Sequence, residues 1–317
     1  MRRRVFGWGA LMLLGWLGGC SRQDVAAPPA VDRAPRAPHP RIGVLLVSHG
    51  SRSPRWREMV GEVDTRVRAR VLAIPNVASL RSAFMEYTEP SIATQLEALD
   101  AEGLTDVIVV PLLLTVSGHS FDDIPVISGQ REDTVTASRL AAEGIRIYAP
   151  RARVHMTPLL DFTDVLRTNV ERRVRQASRD GASEGVVLVA YGDEEYDAEW
   201  TRLFEQIGAH LRAQLGVPEV AHAWCGHLVH YDRAPTRDAI ARVLRRRERA
   251  LVIPILVAVD ERFQFDIIGG AVGEARTAAG DDARVYYLPD AVLPEPEVDD
   301  WVVRIVGETA TRAGGAS

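Results

Sequence analysis

Two histidines and a glutamate are the first residues in this chain whose types and spacing suggest chemistry. His49 follows the apolar run Ile42–Val47 and precedes a glycine, Glu86 closes the run Leu80–Glu86, and His119 lies just past the run Val107–Leu114, after Gly118. Two imidazoles and a carboxylate suit a first-row divalent ion such as cobalt, nickel, iron or zinc. Imidazole ionises near pH 6.5, so neutral rings are available as ligands around neutrality. Three protein ligands leave coordination positions open, whereas a closed four-cysteine site would retain its ion. The same ligand set serves non-haem iron oxygenases, so residue type alone leaves the reaction open.

Other residues are weaker candidates. Ser51, Arg52 and Ser53 stand at a helix start, where hydroxyls, a guanidinium and free N–H groups can receive an anion. The alternative is that Ser53 only caps the helix and Arg52 is solvated. His222, Cys225, His227 and His230 crowd into nine residues and are a candidate auxiliary metal site. On a continuous strand, His222 and His230 would share one face and Cys225 and His227 the other, so a single site there needs a bend. His155 is placed just after a fourth strand, within reach of the same crevice as His49, or else in an ordinary loop. His39 and His210 carry no signal.

The elements that position these residues alternate between strand and helix. Ile42–Val47, Leu80–Glu86 and Val107–Leu114 read as buried strands, with Ile145–Ala149 as a fourth. Between them, Ser53 and Pro54 open a helix carrying Trp56, Val60, Val63 and Val67 on one face, and Pro90 opens another carrying Ile92, Leu96 and Leu99 and ended by Gly103. Leu160 to about Ser178 reads as helix. Such alternation predicts an α/β fold with a parallel sheet covered on both faces. In such sheets ligands bind outside the carboxyl ends of the strands, which is where all three candidate ligands fall.

The second half repeats the first. Val186–Gly192 parallels Val44–Gly50, and Val252, Pro254, Asp266 and Ile267 parallel Val109, Pro111, Asp123 and Ile124 without a gap. The period of about 143 residues is far too long for a solenoid and implies two tandem domains related by duplication. We place the first at residues 41–180 and a degenerate second at 183–312, joined near Arg179–Glu184. Tyr191 stands where His49 stands and Arg262 where His119 stands, so a second equivalent metal site is not expected. The second half is expected to close the cleft, with Arg262 available for a substrate carboxylate.

Three ordered motifs resemble the sirohydrochlorin chelatases of the CbiX/SirB type. They are Leu45–Arg52 around His49, Phe84–Ser91 around Glu86, and Val109–Leu114 followed by Gly118-His119 and Asp123-Ile124-Pro125. Together they span about residues 41–160. The resemblance implies two chelatase-like domains, with His49, Glu86 and His119 as metal-binding and proton-accepting residues. It also implies insertion of a divalent metal, cobalt first and nickel or iron next, into a sirohydrochlorin-like tetrapyrrole. That reaction replaces two pyrrole N–H protons by the ion, so the site must hold the metal, release it and take up protons. The alternative is a non-enzymatic protein that binds or delivers metal or haem on the same scaffold.

Composition narrows the classes further. The chain has 317 residues, is 46% hydrophobic and 26% charged, and carries a net charge of −5, which gives no reason to expect nucleic acid as a partner. Every basic residue is arginine; the absence of lysine excludes Schiff-base chemistry and a P-loop, and no nucleotide cofactor is expected. Two cysteines are too few for a disulfide framework. Residues 1–20 read as a signal peptide, with Arg2, Arg3 and Arg4 before the apolar run Val5–Leu17, too short to span a bilayer comfortably. Leu17-Gly18-Gly19-Cys20 resembles a bacterial lipobox, which implies lipidation of Cys20. Ser21 favours the outer over the inner membrane, and residues 21–40, rich in Ala, Pro and Arg, read as a tether. The expected protein is therefore an envelope lipoprotein on the periplasmic side, a monomer whose halves form an intramolecular pseudo-dimer.

Overall fold

The computed structural model describes residues 40–114, 117–160 and 164–315. The signal peptide, Cys20 and the tether through residue 39 lie outside the described residues. The first half runs β1 (Ile42–Ser48), α1 (Pro54–Leu72), β2 (Val77–Phe84), α2 (Ile92–Ala101) and β3 (Asp106–Pro111). A π-helical turn, His119–Asp123, then leads into α3 (Ile124–Ile127), followed by α4 (Thr134–Ala142), β4 (Arg153–Met156) and α5 (Asp164–Ala177). The second half repeats it with β5 (Glu184–Ala190), α6 (Asp197–Leu215), β6 (Glu219–Trp224), α7 (Ala234–Leu244) and β7 (Arg249–Ile255). A longer π-helical segment, Arg262–Gly269, leads into α8 (Gly270–Ala279), then β8 (Val285–Tyr287) and α9 (Pro296–Gly315).

Each half forms a parallel four-stranded sheet, ordered β2-β1-β3-β4 and β6-β5-β7-β8. Strand alternation divides the core. Ile42, Val44 and Leu46 of β1 and Ile108 and Val110 of β3 face inward, joining Val186 and Leu188 of β5 and Leu251 and Ile253 of β7 in one cluster shared by both halves. The intervening residues face outward: Leu45, Val47, Val107 and Val109 pack under α2, α3 and α4, and Val187, Val189 and Val252 under α7 and α8. Because both faces of each central strand are covered, these strands are continuous apolar runs.

The last helix of each half crosses to the other. α5 packs on β7 and α6, and α9 packs on α1 and β3. Arg173 of α5 donates to the Pro254 carbonyl at 2.7 Å, and Asn169 donates to the Val292 carbonyl at 3.2 Å. Arg66 of α1 makes a two-pronged pair with Asp299 of α9, at 2.6 and 3.2 Å. The chain boundary near residue 180 is therefore not the boundary in space.

The fourth strand is not Ile145–Ala149 but Arg153–Met156, paired to β3. Ile145, Ile147 and Tyr148 instead pack against the outer-face cluster from a loop, tied by Tyr148 N–H to the Ile127 carbonyl at 2.9 Å. β4 is an edge strand whose residues are all partly exposed, so no apolar run marks it. Among the described residues no helix is long and apolar enough to cross a membrane.

Candidate metal centre

β1 lies between β2 and β3, so the chain leaves β1 in one direction and returns on its other side; a crevice opens at that switch. The β1–β2 ladder continues past the strand ends. Met85 N–H donates to the Ser48 carbonyl and Glu86 N–H to the His49 carbonyl, both at 2.9 Å. Gly50 makes this approach feasible. Its φ is +98°, and a Cβ there would stand 2.1 Å from the Glu86 carbonyl oxygen. His119 begins the π-helical turn after β3.

One ligand atom from each of His49, Glu86 and His119 lies within 4.8 Å of the other two. The imidazoles meet edge-on, with ring centroids 4.8 Å apart at 74°. Both tautomers are set by their partners. His49 Nδ1–H donates to the Gly50 carbonyl at 2.9 Å, and His119 Nδ1–H donates to the Asp123 carboxylate at 2.7 Å. Each Nε2 is thereby left with its lone pair available for an ion. Asp123 is buried and also bound by Arg139. Burial alone would raise its pKa, but the hydrogen bonds from His119 and Arg139 hold it below the usual carboxylate value. For His49, burial first and then the facing His119 depress the pKa against the opposing pull of the Gly50 carbonyl, Glu86 and Asp123. The ring is therefore neutral at neutral pH, the form that ligates.

The site opens between the halves. Ser51 Oγ donates to Asp260 Oδ2 at 2.8 Å, and Tyr196 donates to Asp122 at 3.3 Å. A groove of about 460 Å³ is bordered by His119, Asp122 and Asp123 on one side and Asp193, Glu195 and His227 on the other. The Ser51 hydroxyl, a sequence candidate for an anion contact, is thus committed to bridging the halves. Ser53 caps α1, accepting from Trp56 N–H at 3.1 Å. Arg52 lies 5.3 Å over the ring of Tyr87, and Arg262 lies 4.0 Å over that of Tyr231. A larger groove of about 630 Å³ beside the edge strand β2 has its one carboxylate, Asp64, already held by Arg68 and Ser82.

Among the described residues the second half has no equivalent ligand set. Gly226 N–H donates to the Tyr191 carbonyl at 2.9 Å as Glu86 N–H does to that of His49, so Gly226 stands where Glu86 stands. A Cβ on Gly226 would meet the Tyr191 ring at 2.7 Å, so the ring fills the corresponding space. Phe263 and His227 pack on Tyr191 at 5.5 and 5.4 Å, and its hydroxyl meets that of Tyr231 at 3.3 Å.

Two sequence candidates are corrected. β6 ends at Trp224, so alternation does not extend over the histidine cluster. His222 stacks on Phe204 at 5.1 Å, Cys225 is buried with its thiol pushed up to about 12, and His230 follows a short helix. Among the described residues these four do not assemble as an ion site. His155 lies within β4 rather than after it. Its Nε2 bonds Asp106, at the amino end of β3, at 2.8 Å, far along the strand from the crevice. Sequence reasoning also missed two features. Asp123 was a motif position without a role, although its i,i+4 spacing from His119 on a helical turn carries the signal. Tyr87, with φ 64°, has no sequence signal beyond following Glu86.

A family model described as CbiX matches residues 43–177. The sirohydrochlorin cobaltochelatase of Methanococcoides burtonii is 34% identical over 87 residues, covering 27% of this chain and 63% of that protein. The one of Methanococcus aeolicus is 34% identical over 86 residues, covering 27% and 57%. The chain thus spans roughly three fifths of the length of the curated relatives it matches. In fold, it is similar to SirB from Bacillus subtilis with Fe3+, at a TM-score of 0.65 and 22% identity, over 87% of this chain and 98% of that one.

Proposed function

We propose, from the premise that this chain belongs through residues 43–177 to the CbiX/SirB-type chelatase family, that it inserts a divalent metal into a sirohydrochlorin-like tetrapyrrole. The observation that carries the reading is the convergence of His49, Glu86 and His119 at one strand edge, with both Nδ1 atoms already committed to oxygen acceptors. In this reading the two imidazoles and the carboxylate hold the incoming ion and leave coordination positions open to the macrocycle. As metal–nitrogen bonds form, two pyrrole protons depart. Glu86 and the imidazoles vacated by the ion are the groups able to receive them. Cobalt is the proposed first metal, on the names of the curated relatives, with nickel and iron next.

The test is cobalt insertion into sirohydrochlorin by the full-length protein in detergent, followed by the change in visible absorption. Acceleration over the uncatalysed rate is expected, and His119→Ala should abolish it. A protein that only stores or delivers metal would slow insertion by lowering free cobalt. Stoichiometric binding without acceleration by cobalt, nickel or iron would sink the enzyme reading. The proposal extends to location: an envelope protein, lipidated at Cys20, tethered on the periplasmic side. Cys20→Ser should then accumulate as unprocessed precursor and leave the detergent phase in a partitioning assay. A variant processed and partitioned like its parent would remove the anchor.

A further inference from the structure

Two tyrosines outside the ligand set follow the corresponding strand ends of the two halves, one in each half. Tyr87 directly follows Glu86; Tyr231 follows Gly226 at a short distance and donates its N–H to the Gly226 carbonyl at 2.9 Å. Both have positive φ, 64° and 60°. That conformation is rare for a bulky residue and persists where the surroundings impose it, often at sites of function. Each ring also carries an arginine, Arg52 at 5.3 Å on Tyr87 and Arg262 at 4.0 Å on Tyr231. Core packing does not explain Tyr87, whereas Tyr231 rests with one side on the outer-face core of the second half. Tyr87 is 59% exposed although its ring is 6.0 Å from that of His49. Tyr231 is braced by the Tyr191 hydroxyl and, at 6.2 Å, by the Phe263 ring.

An aromatic face beside a guanidinium suits a flat π-system with anionic groups on its rim. The ring stacks on the plane, and the arginine makes charge-assisted hydrogen bonds to carboxylates at the edge. We propose that Tyr87 with Arg52 and Tyr231 with Arg262 are two jaws, one from each half, that hold a planar polycarboxylate macrocycle over the metal ligands. The inference rests on the chelatase reading and names the substrate contacts of that site. It also accounts for the second half. There an aromatic cluster around Tyr191 fills the place of the metal ligands and braces one jaw, so one half holds the ion and the other helps to hold the ring.

The test uses the full-length protein and two probes, metal-free sirohydrochlorin followed by its fluorescence and cobalt followed by equilibrium dialysis. Tyr87→Leu and Tyr231→Leu should each raise the sirohydrochlorin Kd by about five- to tenfold. The cobalt affinity of Tyr231→Leu should remain that of the parent, and both variants should keep the parent's melting temperature to within a few degrees, which shows that they fold. Tyr87→Phe and Tyr231→Phe keep the ring and should bind like the parent. Arg262→Met keeps a stem over Tyr231 but should lose macrocycle affinity by a factor that shrinks as salt rises. Leucine variants that bind sirohydrochlorin as tightly as the parent overturn the jaws while leaving the chelatase reading in place. Phenylalanine variants as weak as leucine ones, or a Tyr231→Leu that also loses cobalt, overturn them as well. A parent that binds cobalt but no sirohydrochlorin overturns the chelatase reading, and the jaws with it.

Discussion

His49 combines an available Nε2, a fixed tautomer and a depressed pKa. The first two follow from one hydrogen bond to the next residue's carbonyl. The third follows from burial, with the facing His119 as the second cause. Free imidazole titrates near 6.5, so a lowered value keeps the His49 lone pair open to metal at more acid pH. The sign is definite: protons compete with the ion only as pH falls through the folded-state value, which lies below 6.5. A proton NMR titration of the metal-free protein should therefore give a His49 midpoint under 6.5. In His119→Ala the midpoint should rise, because the facing imidazole that disfavours a charged His49 is gone, yet stay below 6.5, because burial is the larger cause. A midpoint at or above 6.5 in the parent would contradict this account.

The geometry of the ligand set belongs to the turns at the strand ends. Gly50 joins β1 to the start of α1 at φ +98° with the Glu86 carbonyl against it, and Gly192 does the same in the second half at φ +81°, where an added Cβ would stand 2.9 Å from the Trp224 ring. Alanine at either site should cost about 2 kcal/mol or more, through left-handed strain and steric clash. The two differ in what they displace. Gly50→Ala pushes on the backbone of Glu86 and should raise the cobalt Kd at least about tenfold, given that tenfold is only about 1.4 kcal/mol. Gly192→Ala should lower the melting temperature with cobalt affinity intact. Equal cobalt affinity in both variants would show that Glu86 does not depend on this turn. The Gly50 turn was legible in the sequence, because a glycine between a buried run and a helix capped by Ser53 leaves few alternatives, and the Gly192 turn followed from the repeat. The central strands were legible for the same reason. β4 was not, since Arg153 and His155 on an edge strand break the apolar run, while Ile145 and Ile147 form such a run in a loop. Asp123 needed knowledge that His119 opens a helical turn. Tyr87 and Tyr231 belong to no periodic pattern, so only their backbone and their arginines reveal them.

At the scale of the whole molecule, the exchange of α5 and α9 makes the two halves one folding unit. A hydrophobic stripe tells that a helix face is buried, not which sheet buries it, so reading residues 160–178 as helix left its partner open, and the final helix carried no reading at all. Val298, Trp301, Val302 and Val306 are each at most 1% exposed, in a core shared with Val60 and Val63 of α1 and Ile108 of β3. Each such side chain contributes roughly 1.5–3 kcal/mol by burial, so together they rival the roughly 5–15 kcal/mol by which a domain is stable. Removal of residues 296–317 should therefore unfold part of the protein, and the location of the damage is the informative result. Although the deletion lies at the end of the second half in sequence, hydrogen exchange should rise first in β1, β3 and α1, around the metal ligands. The milder Trp301→Ala should cost about 3 kcal/mol, toward the low end for tryptophan because its indole N–H is buried without an acceptor among the described residues. It should weaken cobalt binding although Trp301 lies far from His49 along the chain, which equilibrium dialysis checks. Exchange confined to β5 through β8 would mean that α9 supports its own half, and that the crossing of helices is not what couples the metal centre to the rest of the fold.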